Sequence, residues 1–269
     1  MKVGIAQLTS SDSMAANFNK IKDIVISSQT EKPAIIFFPE NSLFFRVGSA
    51  AVVQAVGLED QIVQDLATLA KDFGVALHLT TAVREQGKVF NASIMIDVSG
   101  DTSIAYKKMH LFDIELTGQK AIRESDTFLH GATPSVTTFS GFKIGHSICY
   151  DLRFSELYSR YAKAGVDLIV VPSAFLVKTG LAHWEVLLRA RAIESQCYVI
   201  ASAQAGVHRS TFDNQTRETF GHSMVVDPWG NIVAKIESGE GIFYAELSHD
   251  EIAKVRKQIP MNSHRRDVF

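Results

Sequence analysis

Apolar residues recur along this chain in two rhythms. Short runs rich in Val, Ile, Ala and Phe occupy residues 2–7, 34–39, 75–83, 143–149, 167–171 and 198–203, and their length and β-branched content predict strands. Between them, apolar positions fall three and four residues apart over 14–28, 58–73, 154–164, 183–195 and 250–258. That spacing lays one helix face against a core. Strands alternating with helices predict an α/β architecture. Two further stretches read as hairpins, 90–97 with 104–108 across Ser99-Gly100-Asp101, and 224–226 with 232–236 across Asp227-Pro228-Trp229-Gly230. Pro228 presets the backbone for a type I turn closing at Gly230, so the sheets are expected to be mixed.

No low-complexity tract, repeat or linker interrupts the pattern, and the reading is one domain over residues 1–269. Apolar residues make up 46% of the chain and charged residues 21%, enough apolar content to bury a sizeable core. The 27 basic and 29 acidic residues are scattered. Neither a nucleic-acid partner nor an electrostatic membrane anchor is therefore expected. The longest apolar runs, 34–39 and 168–172, are too short to cross a bilayer. The first ten residues alternate apolar and polar positions, as a strand does, and lack the pattern of a secretory signal. Cys149 and Cys197 are the only cysteines, too few for a disulfide framework, which points to a reducing, cytoplasmic setting. The sequons at Asn91 and Asn214 carry little weight without a secretory route.

Candidate chemistry begins at Cys149, which follows the strand-like 142–148 and precedes a segment of helical character. At such a junction helix-end amides can stabilise a thiolate, and the next backbone N–H, that of Tyr150, can face a developing oxyanion. A free cysteine is also commonly just a small buried hydrophobe. Two other strand ends bear on the choice, because reacting groups in α/β sheets gather beyond the carboxyl ends of strands. Glu40 closes the apolar run 34–39; desolvation there would suit its carboxylate to a general base, while an isolated Glu could equally cap a turn. Lys107 and Lys108 end the strand-like 104–108, and since successive strand residues face opposite ways, only one can enter a cleft with Cys149. A thiol, a carboxylate and an ammonium supply nucleophile, base and oxyanion stabiliser without a metal. The histidines show no pair at three- or four-residue spacing and there is no Gly-rich phosphate loop, so neither a metal nor a cofactor is implied. Cys197 opens an apolar strand and reads as core. His110 reads as a hydrogen-bonding group supporting Lys108. Arg153 could present its fork to a substrate carboxylate or close an internal salt bridge. His183, at a predicted helix start, could reach the pocket or cap the helix. With Phe175, Arg153 and His183 make up the substrate-binding candidates.

The blocks Phe38-Pro-Glu40-Asn, Tyr106-Lys-Lys108-Met-His-Leu-Phe-Asp113 and Ile148-Cys149-Tyr-Asp-Leu-Arg-Phe154, in that order, resemble the three signature blocks of the carbon-nitrogen hydrolase (nitrilase) superfamily. The resemblance selects Lys108 over Lys107, as the lysine two residues before the histidine. It implies Glu40 as general base, Lys108 as oxyanion stabiliser, Cys149 as nucleophile, and Glu124, in Arg-Glu-Ser-Asp, as the glutamate that orients Lys108 and the substrate. Residues 183–194 and 221–230 resemble the superfamily's amidase branch, so the likeness runs nearly end to end. Leu111-Phe-Asp-Ile-Glu115, the His183-Trp-Glu helix and the His264-Arg-Arg-Asp267 tail bring it nearest to the amidases of deaminated glutathione. The resemblance implies an αββα four-layer sandwich that forms a homodimer or higher homo-oligomer, and a small-molecule amide as substrate. Deaminated glutathione stands first, with α-ketoglutaramate or another amide of the superfamily next, and a non-catalytic binding protein of the same fold as the remaining reading. Thr117, where those relatives commonly carry proline, and His146-Ser147, which replace smaller residues, are the departures that bear on pocket shape.

Overall fold

The computed structural model describes residues 1–115 and 121–266; Thr117 and Asp267 lie outside them. In chain order the strands are β1 (Lys2–Gln7), β2 (Ile35–Phe37), β3 (Ala76–Glu85), β4 (Lys88–Ile96), β5 (Thr102–Lys107), β6 (Asp113–Ile114), β7 (Ile122–Arg123), β8 (Val136–Phe139), β9 (Phe142–His146), β10 (Leu168–Val170), β11 (Tyr198–Ala201), β12 (Ala205–Arg209), β13 (Thr216–Phe220), β14 (Ser223–Val226), β15 (Ile232–Ile236) and β16 (Gly241–Glu246). The longer helices are α1 (Met14–Ser27), α2 (Gln61–Phe73), α3 (Ser155–Ala164), α4 (Val177–Ser195) and α5 (His249–Gln258).

Alternate residues of the strands feed different cores, which is why their sequences are apolar on both faces. On β2, Ile35 and Phe37 join one cluster and Ile36 another. On β11, Tyr198 and Ile200 divide from Val199 and Ala201 in the same way. The cluster with Ile35 and Phe37 also holds Ile144, Leu168 and Ile200, so it lies between two sheets. A second cluster packs Ile36 and Leu77 against Ile21 and Val25 of α1 and Leu66 and Ala70 of α2. The third packs Ile169, Val199 and Val226 against Leu157 and Tyr158 of α3 and Trp184 and Leu188 of α4. Three apolar cores between four layers, two of helices and two of sheet, make an αββα sandwich.

The first sheet runs β16-β1-β2-β3-β4-β5 and the second β15-β14-β11-β10-β9-β8. Each has a parallel centre, β1–β2–β3 in one and β9–β10–β11 in the other, continued by antiparallel pairs. Parallel neighbours need crossovers, and α1 to α4 supply them. Both expected hairpins form. Asp97 accepts the Ser99 and Asp101 amides at 2.8 and 3.0 Å, and the Gly230 amide closes on the Asp227 carbonyl at 2.9 Å.

The differences lie where distant partners set the structure. The runs 34–39 and 143–149 pair as strands only at Ile35–Phe37 and Phe142–His146, so Glu40 and Cys149 stand on loops just beyond strand ends. Helix α4 begins at Val177, six residues before His183. Its first turns gain little from amphipathic pattern; Gly180 fits instead against Phe220, where a Cβ would lie 2.2 Å from the ring. The polar β12–β13 hairpin and the short β16 form by pairing, β16 with β1 across almost the whole chain.

Two histidines meet between the sheets. His78 of β3 and His146 of β9 stack at 5.4 Å, both essentially inaccessible, and neither ring nitrogen of His78 has a hydrogen-bond partner among the described residues. Burial lowers the His78 pKa to about 4 from 6.5, and burial, followed by the His78 charge, pushes His146 well down. With the folded pKa below the unfolded one, the unfolded chain binds the extra proton between about pH 6.5 and 4, and folding stability falls as pH drops through that window. Melting temperature followed by circular dichroism should therefore decline from pH 6.5 to 4, and His78→Leu should shallow that decline; an unchanged pH profile in the variant would remove His78 from the account.

Candidate active site

Glu40, Lys108 and Cys149 converge. The segment after β2 is held by Phe38 N–H to His78 O and Ser42 N–H to Thr80 O, each 2.8 Å, and Gln204 Nε2 donates to the Glu40 carbonyl at 2.9 Å. These bonds aim the Glu40 carboxylate inward, where it is 3% exposed. Lys108 follows β5 with its N–H on Asn91 O at 2.9 Å. The strand alternation sends Lys107 outward to pair with Glu85 and Lys108 inward, 2% exposed.

Lys108 Nζ lies 2.9 Å from Glu40 Oε1 and 3.0 and 2.8 Å from the two Glu124 oxygens. Asn91 Nδ2 bridges the same carboxylates, 2.8 Å from Glu40 Oε1 and 2.8 Å from Glu124 Oε1, and the Phe112 amide donates to Glu124 Oε2 at 2.6 Å. Burial alone would lower the Lys108 pKa, but the Glu124 and Glu40 charges outweigh it and hold it well above the usual lysine value. Burial would likewise raise Glu124, yet the Lys108 charge and its hydrogen bond keep the carboxyl below its ordinary value. The result is a locked ammonium with one carboxylate on each side.

Cys149 is buried, and its backbone is left-handed at φ +48°, a conformation that costs a non-glycine residue on the order of 1 kcal/mol or more. The surroundings enforce it. The Cys149 amide donates to the Pro172 carbonyl at 2.9 Å, and the residue opens a short 3-10 turn, Cys149–Arg153. Asp151 clamps that turn, accepting the Ile148 amide at 2.9 Å, the Tyr106 hydroxyl at 2.8 Å and the His110 amide at 2.9 Å, with His110 Nδ1 at 2.7 Å. Arg191 of α4 donates twice to the Leu152 carbonyl, at 3.1 and 2.8 Å. His110 thus bonds Asp151 rather than Lys108, and its ring stacks on Phe154 at 3.7 Å. The expected helix N-terminus lies elsewhere: Phe154 is extended and α3 starts at Ser155, so the thiol sits on the 3-10 turn and not on α3. Its pKa is pushed well up, by burial first and then by the Glu40 charge, while Lys108 and the Ala174 amide oppose the rise. The resting group is a neutral thiol that shares one cavity wall with Glu40 and Lys108.

Two cavities meet at Cys149. The larger, about 330 Å³, is lined by Glu40, Lys108, Glu124, Phe112 and Ala174 and by three arginines, Arg46, Arg123 and Arg217. The smaller is walled by Tyr150, Arg153, Phe175, Leu176 and Thr179. Arg153 lies over the Phe175 and Tyr150 rings at 5.3 and 5.8 Å. No carboxylate among the described residues pairs with it, while His183 Nδ1 stands 3.0 Å from its Nη1. His183 therefore lies behind Arg153 and walls neither cavity. Asn91, Asp151, Arg191, Ala174 and Arg217 went unread in the sequence. Of these only Asn91, a polar residue inside an apolar strand beside the Lys108 block, offered a signal.

The model of the family described as "Carbon-nitrogen hydrolase" matches residues 2–257. The chain belongs to the carbon-nitrogen hydrolase family. It is 38% identical to deaminated glutathione amidase of Mus musculus over 98% of this chain and 83% of that one, and 37% identical to the probable hydrolase nit2 of Schizosaccharomyces pombe over 98% and 97%. Among solved structures, Saccharomyces cerevisiae Nit3, a member of branch 10 of the nitrilase superfamily, superposes with a TM-score of 0.83 at 29% identity, covering 100% of this chain and 97% of that one. The αββα sandwich is thus the nitrilase-superfamily fold.

Within this carbon-nitrogen hydrolase the Glu40–Lys108–Glu124 group has a cost if broken. Lys108→Met strands two nearly inaccessible carboxylates, and urea denaturation should show a loss of roughly 3–5 kcal/mol. Adding Glu124→Gln, which removes one of those charges, should restore part of it. Equal stability of wild type and Lys108→Met would contradict the ion-group account.

Proposed function

We propose that this chain, acting as one domain, is a thiol amidase that hydrolyses a small carboxylated amide through a Cys149 thioester, with deaminated glutathione as the leading substrate. The observation that carries the reading is the convergence on one cavity of the neutral Cys149 thiol, the Glu40 carboxylate and the Lys108 ammonium bonded to it. Identity of 36–38% to proteins named deaminated glutathione amidase supports the substrate.

Glu40 takes the thiol proton as sulfur attacks the amide carbon, so the thiolate exists only as it reacts. The oxyanion is held by Lys108 and the Tyr150 backbone N–H, and the Ala174 amide, which already faces the sulfur, adds a further donor dipole. Collapse of the tetrahedral adduct breaks the C–N bond, and Glu40 hands its proton to the leaving amine. Water then enters, Glu40 removes its proton, the hydroxide adds to the thioester, and the second adduct releases the acid while the thiol regains its proton. Glu124 and Asn91 hold Lys108 and Glu40 in register throughout. The Arg153 guanidinium, packed on Phe175 and without a carboxylate partner among the described residues, takes the carboxylate of the acyl group. His183 orients Arg153, and His110, through Asp151, holds the nucleophile turn.

An omega-amidase on α-ketoglutaramate is the second reading. It shares the α-ketoglutaryl acyl group and therefore the same contact with Arg153. Ammonia and amine release should be measured on deaminated glutathione, α-ketoglutaramate, N-carbamoyl amino acids, aliphatic amides and nitriles. Deaminated glutathione should turn over fastest. Cys149→Ala should abolish turnover, and a thioester-mass adduct on Cys149 should accumulate with a slow substrate. Arg153→Met should raise KM about tenfold or more, the scale of a lost charged hydrogen bond. Activity surviving Cys149→Ala without an adduct would remove the thiol mechanism, and silence across the panel would favour a binding protein.

The same reading includes a homo-oligomer in the cytoplasm. Helix α4 leaves Leu181 and Val186 73% and 68% exposed, and Ile193 packs beside the turn that carries the exposed Trp229. Large apolar side chains left in solvent along one helix support a self-association surface. Light scattering should give twice the chain mass, and Val186→Glu should shift it toward one chain; a monomer in wild type would discard this surface. Both thiols are unpaired, which supports a reducing compartment. Among the described residues no helix is long and apolar enough to cross a membrane.

A further inference from the structure

Arg217 is a cation that the mechanism leaves without a task. It lies on β13, part of a hairpin outside both main sheets, and turns back over the Phe45 ring at 4.8 Å to line the larger cavity. No carboxylate among the described residues forms an ion pair with it, and Glu40, Cys149 and Glu124 are the acidic groups whose fields reach it. Burial pulls its pKa below the ordinary arginine value against those fields. A partly buried guanidinium without a counter-ion is costly, and an anionic ligand would supply the missing charge.

Resting on the amidase reading above, the acyl carboxylate meets Arg153, whose recess of about 10 Å³ has room for little beyond the contact itself. Glu40, the proton donor to the leaving amine, lines only the larger cavity, so the departing group lies there. About 330 Å³ is far more than ammonia needs and falls within the roughly 300–1,000 Å³ of small-molecule sites. Arg46 and Arg123, both exposed, line the same space, so the cavity that receives the leaving group is positively charged away from the reacting atoms.

We infer that Arg217 is a specificity-determining residue that binds the carboxylate of the leaving group, so that the enzyme selects amides whose amine portion is a short peptide ending in a free carboxylate. Deaminated glutathione, whose leaving group is cysteinylglycine, carries such a carboxylate; α-ketoglutaramate, whose leaving group is ammonia, does not. Arg217 therefore separates two substrates that share one acyl group.

The test uses three amides of that acyl group, the cysteinylglycine amide, its glycinamide-terminated analogue and α-ketoglutaramate, with wild type, Arg217→Gln and Arg217→Lys. Wild type should favour the free carboxylate over the glycinamide about 10- to 100-fold in kcat/KM, the scale of a charged hydrogen bond. Arg217→Gln should erase that preference through KM and lower the kcat/KM ratio of the cysteinylglycine amide to α-ketoglutaramate by a similar factor. Arg217→Lys should recover part of it. Equal losses on the cysteinylglycine amide and α-ketoglutaramate would make Arg217 part of the charge balance around Cys149 and overturn the inference alone. Wild-type indifference to the terminal carboxylate would do the same without any variant. Absence of wild-type turnover on all three would overturn the amidase reading and this inference together.

Discussion

The Lys108 ammonium between Glu40 and Glu124 is the contact on which the rest of the molecule is organised. Its three charges come from the end of β5, the loop after β2 and a turn beyond β7. Charges this deeply buried are tolerable only when geometry and further hydrogen bonds compensate their lost hydration. The Asn91 amide and the Phe112 N–H provide that compensation, and both depend on β4 and β5 keeping their register. One residue of slip in β5 would turn Lys107 inward and Lys108 to solvent. Fold and site thus share one constraint.

Cys149, the proposed nucleophile, belongs to the other half of the sandwich, and its turn is tied to the first half through Asp151. That carboxylate joins the Cys149 turn to Tyr106 of β5 and to His110 just beyond Lys108. Any movement of β5 relative to β9 would therefore strain Asp151 before it separated thiol from ammonium. The left-handed backbone at Cys149 belongs to the same arrangement. Its local strain is balanced by the Pro172 carbonyl, the Asp151 carboxylate and the Arg191 guanidinium, which place the sulfur at the junction of the two cavities.

Much of this was legible in the sequence for a plain reason. The layers follow from doubly apolar strands alternating with one-sided helices, and Glu40, Lys108 and Cys149 each sit just past a strand end, where α/β folds gather reactive groups. What escaped the sequence depends on partners far away along the chain. Asp151 gains its meaning from Tyr106 and His110, Arg191 from the Leu152 carbonyl, and Arg217 from a hairpin that folds back over Phe45. Periodicity placed α3 to within one residue, but the amides beside Cys149 belong to a separate 3-10 turn that an extended Phe154 divides from that helix. The early start of α4 rests on the fit of Gly180 to Phe220, which periodicity does not register.

The pairing of β1 with β16 has a consequence for how the protein is made. Strand β1 is hydrogen-bonded on one side by a strand made long after it, Lys2 lying opposite Glu246 and the Met1 nitrogen donating to the Leu247 carbonyl at 2.7 Å. Until some 240 residues have followed it, β1 can join β2 and β3 but exposes an open, apolar edge of the kind that invites foreign strands. Nascent chains therefore hold that edge open until β16 emerges, and in that interval foreign strands compete with β16 for the place beside β1.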